Sequence, residues 1–178
     1  MGAGADHAAE RKPATMEELA AITANMPDRY KALVYVAAWS GLRFSELAGL
    51  TRVDVVTIPG EGGATGYMLI VDKRTYRLGA ELHEKEPTKT AAGKRKVYVF
   101  EPSAVSALRW HMERFTEPRF DAYAFTSGNG TPISTNAVGK KFRKARKAAG
   151  RDDLRFHDLR HTCATLLTEN GATTKPLM

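Results

Sequence analysis

Two short segments of this sequence carry residue types suited to chemistry on a phosphate. In the first, Ser40 to Leu47, Arg43 and Glu46 stand three residues apart. We expect Gly41 to end one helix just before the next begins, so that Arg43 lies at a rigid corner. At this spacing the Glu46 carboxylate can pair with the guanidinium and fix its direction. The alternative is a structural Arg–Glu pair at a helix junction.

The second segment, Phe156 to Thr162, contains His157, Arg160 and His161. Residues three and four positions apart share a helix face, so His157 is expected beside both Arg160 and His161. An imidazole next to a guanidinium at a helix N-terminus suits a phosphate, because free amides and a bidentate arginine meet there. The alternative is a partly buried His–Arg pair that caps the helix.

Positive charge is concentrated near the second segment. The chain has 27 Lys and Arg against 20 Asp and Glu, a net charge of +7. Between Asn136 and Arg160 there are nine basic and three acidic residues, so this stretch has a net charge of +6 and the rest of the chain has +1. Such a patch favours a polyanion, above all nucleic acid, although a solubilising helix face has the same pattern. The residues expected to bind DNA phosphates are Lys140, Lys141, Arg143, Lys144, Arg146 and Lys147.

The elements that must position these residues are predicted to be mostly helical. Helices are expected at about 15–25, 27–40, 44–50, 135–149 and 157–169, and another from Pro102 through at least Met112, from caps, breakers and apolar stripes. Strands are expected near 53–58, 67–71, 97–100 and 123–126, with 72–96 as a long flexible connection. The predicted fold class is therefore mainly α with a small three-stranded antiparallel sheet (α+β).

Composition narrows the class of protein further. A chain of 178 residues with 43% hydrophobic residues can bury one compact core. Its longest apolar run, Leu33 to Trp39, is far short of a membrane span, and no secretion signal is recognisable. The single cysteine, Cys163, excludes a disulfide framework and a multi-cysteine zinc site. These features favour a reducing cytosol and argue against a membrane partner.

Taken in order, the segments GLRFSEL, TKT and HDLRHTCATLL resemble the catalytic domain of the tyrosine recombinases, the phage integrase family. The resemblance extends from about Thr15 to Met178 and implies the same α+β fold. Lys89 matches the family's catalytic lysine less securely than the other residues match theirs, since Lys85, Lys94 and Lys96 are close by. The resemblance assigns catalytic roles to Arg43, Lys89, His157 and Arg160, with Glu46 and His161 in support.

The resemblance implies site-specific recombination of double-stranded DNA at attachment sites, by a whole protein that is tetrameric on DNA. A tyrosine hydroxyl attacks a phosphodiester and leaves a 3′-phosphotyrosine and a free 5′-hydroxyl. Arg43 and Arg160 would neutralise the transition-state charge, Lys89 would protonate the departing oxygen, and His157 would assist proton transfer. No metal or other cofactor is expected, because the phosphotyrosine conserves the bond energy.

The sequence departs from the family pattern in its tyrosines. The nucleophile is expected after the HxLRH arginine, whereas all six tyrosines precede it, at positions 30, 35, 67, 76, 98 and 123. The expected organisation is a tail or linker remnant at 1–13 and a catalytic domain at 14–178 that lacks its C-terminal segment. We therefore expect a monomeric chain that binds DNA but is inactive alone. The alternatives are a non-catalytic DNA-binding module or regulator and, less favoured, an RNA-binding domain without stacking aromatics.

Overall fold

The structure, a computed structural model, describes residues 12–72, 74–78, 81–85 and 94–169 of the chain. Helices and strands follow one another in the order expected for an α+β fold. The helices are α1 (Met16–Ala24), α2 (Asp28–Ser40), α3 (Phe44–Gly49), α4 (Pro102–Arg114), α5 (Thr135–Ala148) and α6 (Leu159–Glu169). The strands are β1 (Val55–Pro59), β2 (Thr65–Val71), β3 (Arg74–Leu78), β4 (Glu81–Lys85) and β5 (Arg95–Val99).

The first two helices begin and end where local sequence signals predict. The Thr15 hydroxyl accepts from the Glu18 amide, and the Glu18 carboxylate accepts from the Thr15 amide, which closes a capping box before α1. Gly41 adopts a left-handed conformation, with φ +61°, and ends α2. Because α2 is apolar on most sides, it lies in the middle of the molecule, where α1, α4 and α6 pack against it.

The predicted three-stranded antiparallel sheet is confirmed, with the strand order β1-β2-β5. Leu69 of β2 pairs with Val55 on one side and Val97 on the other. The alternating residues Tyr67, Leu69 and Val71 of β2 are buried. This face of the sheet packs towards α2 and α4, which closes the core. Val53, expected in the first strand, lies instead in a 3₁₀ turn at Arg52–Asp54.

The connection expected between the second and third strands of this sheet is more ordered than predicted. It contains a second, two-stranded sheet in which β3 and β4 form an antiparallel hairpin, with Arg74 paired to Lys85 and Leu78 to Glu81. Backbone pairing needs no apolar periodicity, so the hydropathy pattern did not reveal this hairpin. β3 lies against α3, the helix that begins next to Arg43.

The short strand expected at 123–126 is wrong. This segment forms only isolated bridges, between Thr51 and Tyr123 and between Thr126 and Pro132. Pro132 has no backbone N–H and cannot extend the ladder. The Ala124 amide donates instead to the carbonyl of Leu50, at 2.8 Å, which fastens the segment to the end of α3. Among the described residues, no helix is long and apolar enough to span a membrane.

Candidate catalytic site

Arg43 lies at the corner between α2 and α3, as its sequence position predicted. It is the N-cap residue of α3, with an extended backbone, and its amide donates to Oε2 of Glu46 at 2.8 Å. Nη1 of Arg43 lies 3.6 Å from Oε1 of Glu46. The Arg43 side chain is 51% exposed, whereas the Glu46 side chain is fully buried. The corner therefore presents a guanidinium to solvent above a buried carboxylate.

A third residue, Arg95 at the start of β5, completes this group. Its Nη1 and Nη2 donate to Oε1 and Oε2 of Glu46 at 3.2 and 2.9 Å, a bidentate pair. Burial alone would raise the pKa of the Glu46 carboxyl, but hydrogen bonds from Arg95 and the Arg43 amide bring that pKa below its ordinary value. Arg95 belongs to neither of the two sequence motifs. One feature of the sequence marks it: Arg95, Val97 and Val99 alternate along β5, so a charged residue shares the inward face of the strand with two valines.

The second motif begins in a 3₁₀ turn rather than in the helix itself. Phe156–Asp158 forms this turn, and α6 begins at Leu159. The Asp158 carboxylate accepts from the Arg155 amide at 2.7 Å and so stabilises the turn. His157 and His161 are both exposed, and their rings stand edge to face with centroids 6.1 Å apart. The two imidazoles therefore share one surface, as the spacing predicted.

The two motifs are in direct contact, although more than a hundred residues separate them. Nη1 of the half-buried Arg160 donates to the carbonyl of Gly41 at 2.7 Å, two residues before Arg43. The rings of Phe44 and Phe156 meet edge to face at 5.5 Å. The chain segments that carry Arg43, His157 and Arg160 thus converge on one corner of the molecule.

Gly41 is required at this contact for two reasons. Its φ of +61° is a conformation that side chains other than glycine rarely adopt. A Cβ atom there would also lie 3.3 Å from Sγ of Cys163 and 4.0 Å from Cγ of Arg160. Cys163 itself is buried, and burial raises the pKa of its thiol to about 11, so it is suited to packing rather than to reaction.

Lys89, the remaining predicted catalytic residue, lies outside the described residues. It belongs to the connection between the end of β4 and the start of β5. Arg95 lies six positions after Lys89 and bonds to Glu46, so the chain that follows the lysine is anchored beside Arg43. The assignment of Lys89 stays a prediction.

The basic helix is α5, and its two faces differ. Ser134 caps it, with Oγ accepting from the Ala137 amide at 3.2 Å, while Val138, Phe142 and Ala145 are buried. The Phe142 ring contacts the Phe156 ring at 5.3 Å, which fixes α5 against the turn that holds His157. Four of the six predicted phosphate-binding residues are exposed: Lys140, Arg143, Lys144 and Lys147.

The other two basic residues of α5 are partly covered by protein groups. Nη1 of Arg146 donates to the backbone carbonyl of Leu154, so this guanidinium has a role within the fold. Nζ of Lys141 lies 5.4 Å from the centre of the Tyr30 ring, a cation–π contact between α5 and α2. The exposed basic surface of α5 is therefore narrower than the sequence suggested.

Comparison with known proteins settles the family. Residues 12–178 match the phage integrase family. The chain belongs to this family. It is 37% identical over 169 residues to a prophage phiRv2 integrase of Mycobacterium tuberculosis, which covers 94% of the chain, and 36% identical over 166 residues to the integrase of Mycobacterium phage D29, which covers 92%. The chain spans 43% and 42% of these relatives, less than half their length.

Solved structures show the same fold. The Tn1549 transposon integrase in complex with a circular intermediate DNA superposes with a TM-score of 0.72 at 21% identity, over 94% of this chain and 56% of that one. The lambda integrase dimer bound to a core site gives a TM-score of 0.57 at 20% identity, over 90% of this chain and 53% of that one. At these identities the likeness concerns the fold alone.

Proposed function

We propose that this chain supplies the transition-state-stabilising part of a DNA integrase, which cuts and rejoins double-stranded DNA at attachment sites through a 3′-phosphotyrosine intermediate. The observation that carries the proposal is the bond from Arg160 to the Gly41 carbonyl, since it joins the second arginine motif to the corner where Arg43 stands. Two guanidiniums supplied by one corner suit the charge of a five-coordinate phosphorane, because preorganised donors need no rearrangement during reaction.

The roles proposed for the individual residues follow from their chemistry. Arg43 and Arg160 donate to the non-bridging oxygens of the scissile phosphate, and Glu46 holds the Arg43 main chain through its backbone amide. His157, exposed beside the same corner, assists proton transfer at the nucleophile, and His161 supports it. Lys89 is proposed as the general acid for the departing 5′ oxygen.

The partner proposed for the basic surface is duplex DNA. The four exposed cations of α5 bind backbone phosphates, and they position the duplex without reading its bases. We further propose that the complete protein acts as a tetramer on two DNA sites in the bacterial cytoplasm, and that the 178-residue chain alone is a monomer.

The proposal is tested with a suicide substrate, a duplex from the DNA flanking the gene that is nicked beside the scissile phosphate. The complete gene product should form a covalent protein–DNA adduct that survives denaturing electrophoresis. The 178-residue chain should form none, because the family pattern places the nucleophile after Arg160 and all six tyrosines precede it. An adduct from the short chain would make one of those six tyrosines the nucleophile.

Arginine variants of the complete product test the site. Arg43→Ala or Arg160→Ala should lower the rate of adduct formation by about 10²–10³-fold each, the usual cost of removing one charge-stabilising donor. The matched control is Arg119→Ala, because Arg119 is 67% exposed and pairs with Asp121 on the surface. A control that loses as much as the two site variants, or site variants that lose nothing, would refute the assignment. Binding without any adduct from the complete product would favour a DNA-binding regulator.

A further inference from the structure

Arg95 is a charged residue held next to the Arg43 corner by two hydrogen bonds, and no role for it follows from the family resemblance. It stands at the start of β5, its side chain is 32% exposed, and both ends of its guanidinium donate to Glu46. The pair joins residues 49 positions apart in the chain. A bidentate bond of this kind fixes direction as well as distance, which a lysine in the same place could not do.

The Glu46 carboxylate lies closer to the Arg95 guanidinium than to the Arg43 guanidinium. The Arg95 guanidinium nitrogens lie 2.9 and 3.2 Å from the two carboxylate oxygens, whereas Nη1 of Arg43 lies 3.6 Å from Oε1. The closer contact between Glu46 and Arg43 is through the Arg43 backbone amide, at 2.8 Å. The carboxylate therefore holds the Arg43 main chain firmly and its side chain loosely.

We propose that Arg95 is a positioning residue for Arg43 and that it acts through Glu46. By occupying both carboxylate oxygens, Arg95 keeps the buried charge of Glu46 compensated, so the Arg43 guanidinium is free to turn towards the scissile phosphate. Without Arg95, the buried carboxylate would lose its bidentate partner and would draw the Arg43 side chain into a closer ion pair. The N–H groups of Arg43 would then donate to Glu46 and would not be available to the phosphate. This inference rests on the proposed function, because it needs a phosphate for Arg43 to bind.

The test compares Arg95→Lys and Arg95→Met with the control Arg119→Lys, which changes a surface arginine–carboxylate pair in the same way. In the complete gene product, each variant is assayed for adduct formation on an ordinary suicide substrate and on one with a methylphosphonate at the scissile position. The methylphosphonate lacks one charged oxygen, so it has less need of a correctly directed arginine.

We expect Arg95→Lys to slow cleavage of the ordinary substrate by about 10- to 100-fold and of the methylphosphonate by less than about threefold, relative to the wild type. Arg95→Met should also slow cleavage of the ordinary substrate more than that of the methylphosphonate, and by a larger factor than Arg95→Lys. Arg119→Lys should change neither rate. Equal losses on both substrates would reduce Arg95 to a purely structural role and overturn the proposal. Rescue by a sulfur leaving group at the 5′ position would also overturn it, since it would place the defect at the general acid.

A double-mutant cycle in DNA affinity gives an answer that does not depend on cleavage. In the 178-residue chain, Arg43→Ala combined with Arg95→Lys should weaken duplex binding no more than Arg43→Ala alone, because both changes act on one guanidinium. Additive losses would mean that Arg95 contacts DNA itself, and the proposal would be wrong. A wild-type product that forms no adduct would refute the proposed function, and the affinity cycle would then decide the question of Arg95.

Discussion

His111 is a single residue whose surroundings decide its charge. It is fully buried in α4, between the rings of Phe115 and Phe125, with centroid distances of 5.5 and 4.8 Å. Its Nε2 lies 2.8 Å from the carbonyl oxygen of Ala124, so this nitrogen carries the proton and donates. Burial lowers the pKa of His111 to about 4, and the positive charge of Arg29 acts in the same direction. The residue is neutral in the folded protein at neutral pH.

This environment predicts a loss of stability in mild acid. Because the pKa is about 4 in the folded state and near 6.5 when unfolded, the unfolded state binds more protons as the pH falls below 6.5. The free energy of unfolding should therefore decrease from pH 6.5 towards pH 4, by roughly 3 kcal/mol in total from this group. Urea unfolding at several pH values measures the change.

His111→Gln is the control for that prediction. Its amide can still donate towards Ala124 but does not titrate, so the variant should lose less stability between pH 6.5 and pH 4 than the wild type. An identical pH dependence in both proteins would assign the acid sensitivity to other groups.

At the scale of elements, α5 combines a buried side with an exposed basic side. Val138, Phe142 and Ala145 recur at positions three and four apart and fix which face is buried. The rotation of the helix then decides which cations remain in solvent, since Lys144 is exposed while Arg146 turns back to the Leu154 carbonyl. Two basic residues only two positions apart thus have different expected functions.

Replacing these two residues separately should give opposite phenotypes. Lys144→Ala should reduce the slope of log affinity against log salt by about 1 on duplex DNA and leave the unfolding free energy nearly unchanged. Arg146→Ala should leave that slope unchanged and lower the unfolding free energy by about 1–2 kcal/mol, through the lost bond to Leu154. Salt titrations and denaturant unfolding of both variants separate the effects. If both variants lost the same amount of DNA affinity, Arg146 would bind a DNA phosphate, as the sequence first predicted.

At the scale of the whole molecule, a second contact network connects the segment before α1 to the region of the Arg43 corner. The Ala14 amide donates to Oγ1 of Thr162 in α6 at 3.0 Å, and the same hydroxyl donates to the carbonyl of Asp158 in the preceding 3₁₀ turn. Arg151, which follows α5, pairs with Glu18 and with Asp153 and donates to the carbonyl of Lys12. These bonds fix α1, α5 and α6 relative to one another, so the basic helix and the arginine corner form parts of one rigid surface.

Such a surface predicts DNA binding that depends strongly on salt. The four exposed cations of α5, together with Arg43 and Arg160, could make six phosphate contacts, for which the slope of log affinity against log salt should be near −5 on duplex DNA, at about −0.9 per contact. Neutralising Lys140, Arg143, Lys144 and Lys147 together should bring the slope to about −2. Fluorescence anisotropy across a salt series measures both slopes. Tight binding that is insensitive to salt would contradict this account.

Much of the architecture could be predicted from local sequence signals. The capping box at Thr15, the break at Gly41 and the run of β-branched residues in β1 act over a few residues, so their consequences hold in almost any tertiary context. The two arginine motifs were also recognisable, because the polar residues of each motif lie within eight consecutive positions or fewer.

The sequence alone therefore determined the fold class, the family resemblance and the residues to examine at Arg43 and Arg160. Only the tertiary structure decided that Arg95 is the closer partner of Glu46, that Arg146 turns towards Leu154, and that His111 is neutral in the core. The hairpin of β3 and β4 also went unpredicted from hydropathy. The physical reason is that each of these depends on contacts between groups in separate elements, and the periodicity of one segment says nothing about which distant charge, carbonyl or strand will face it.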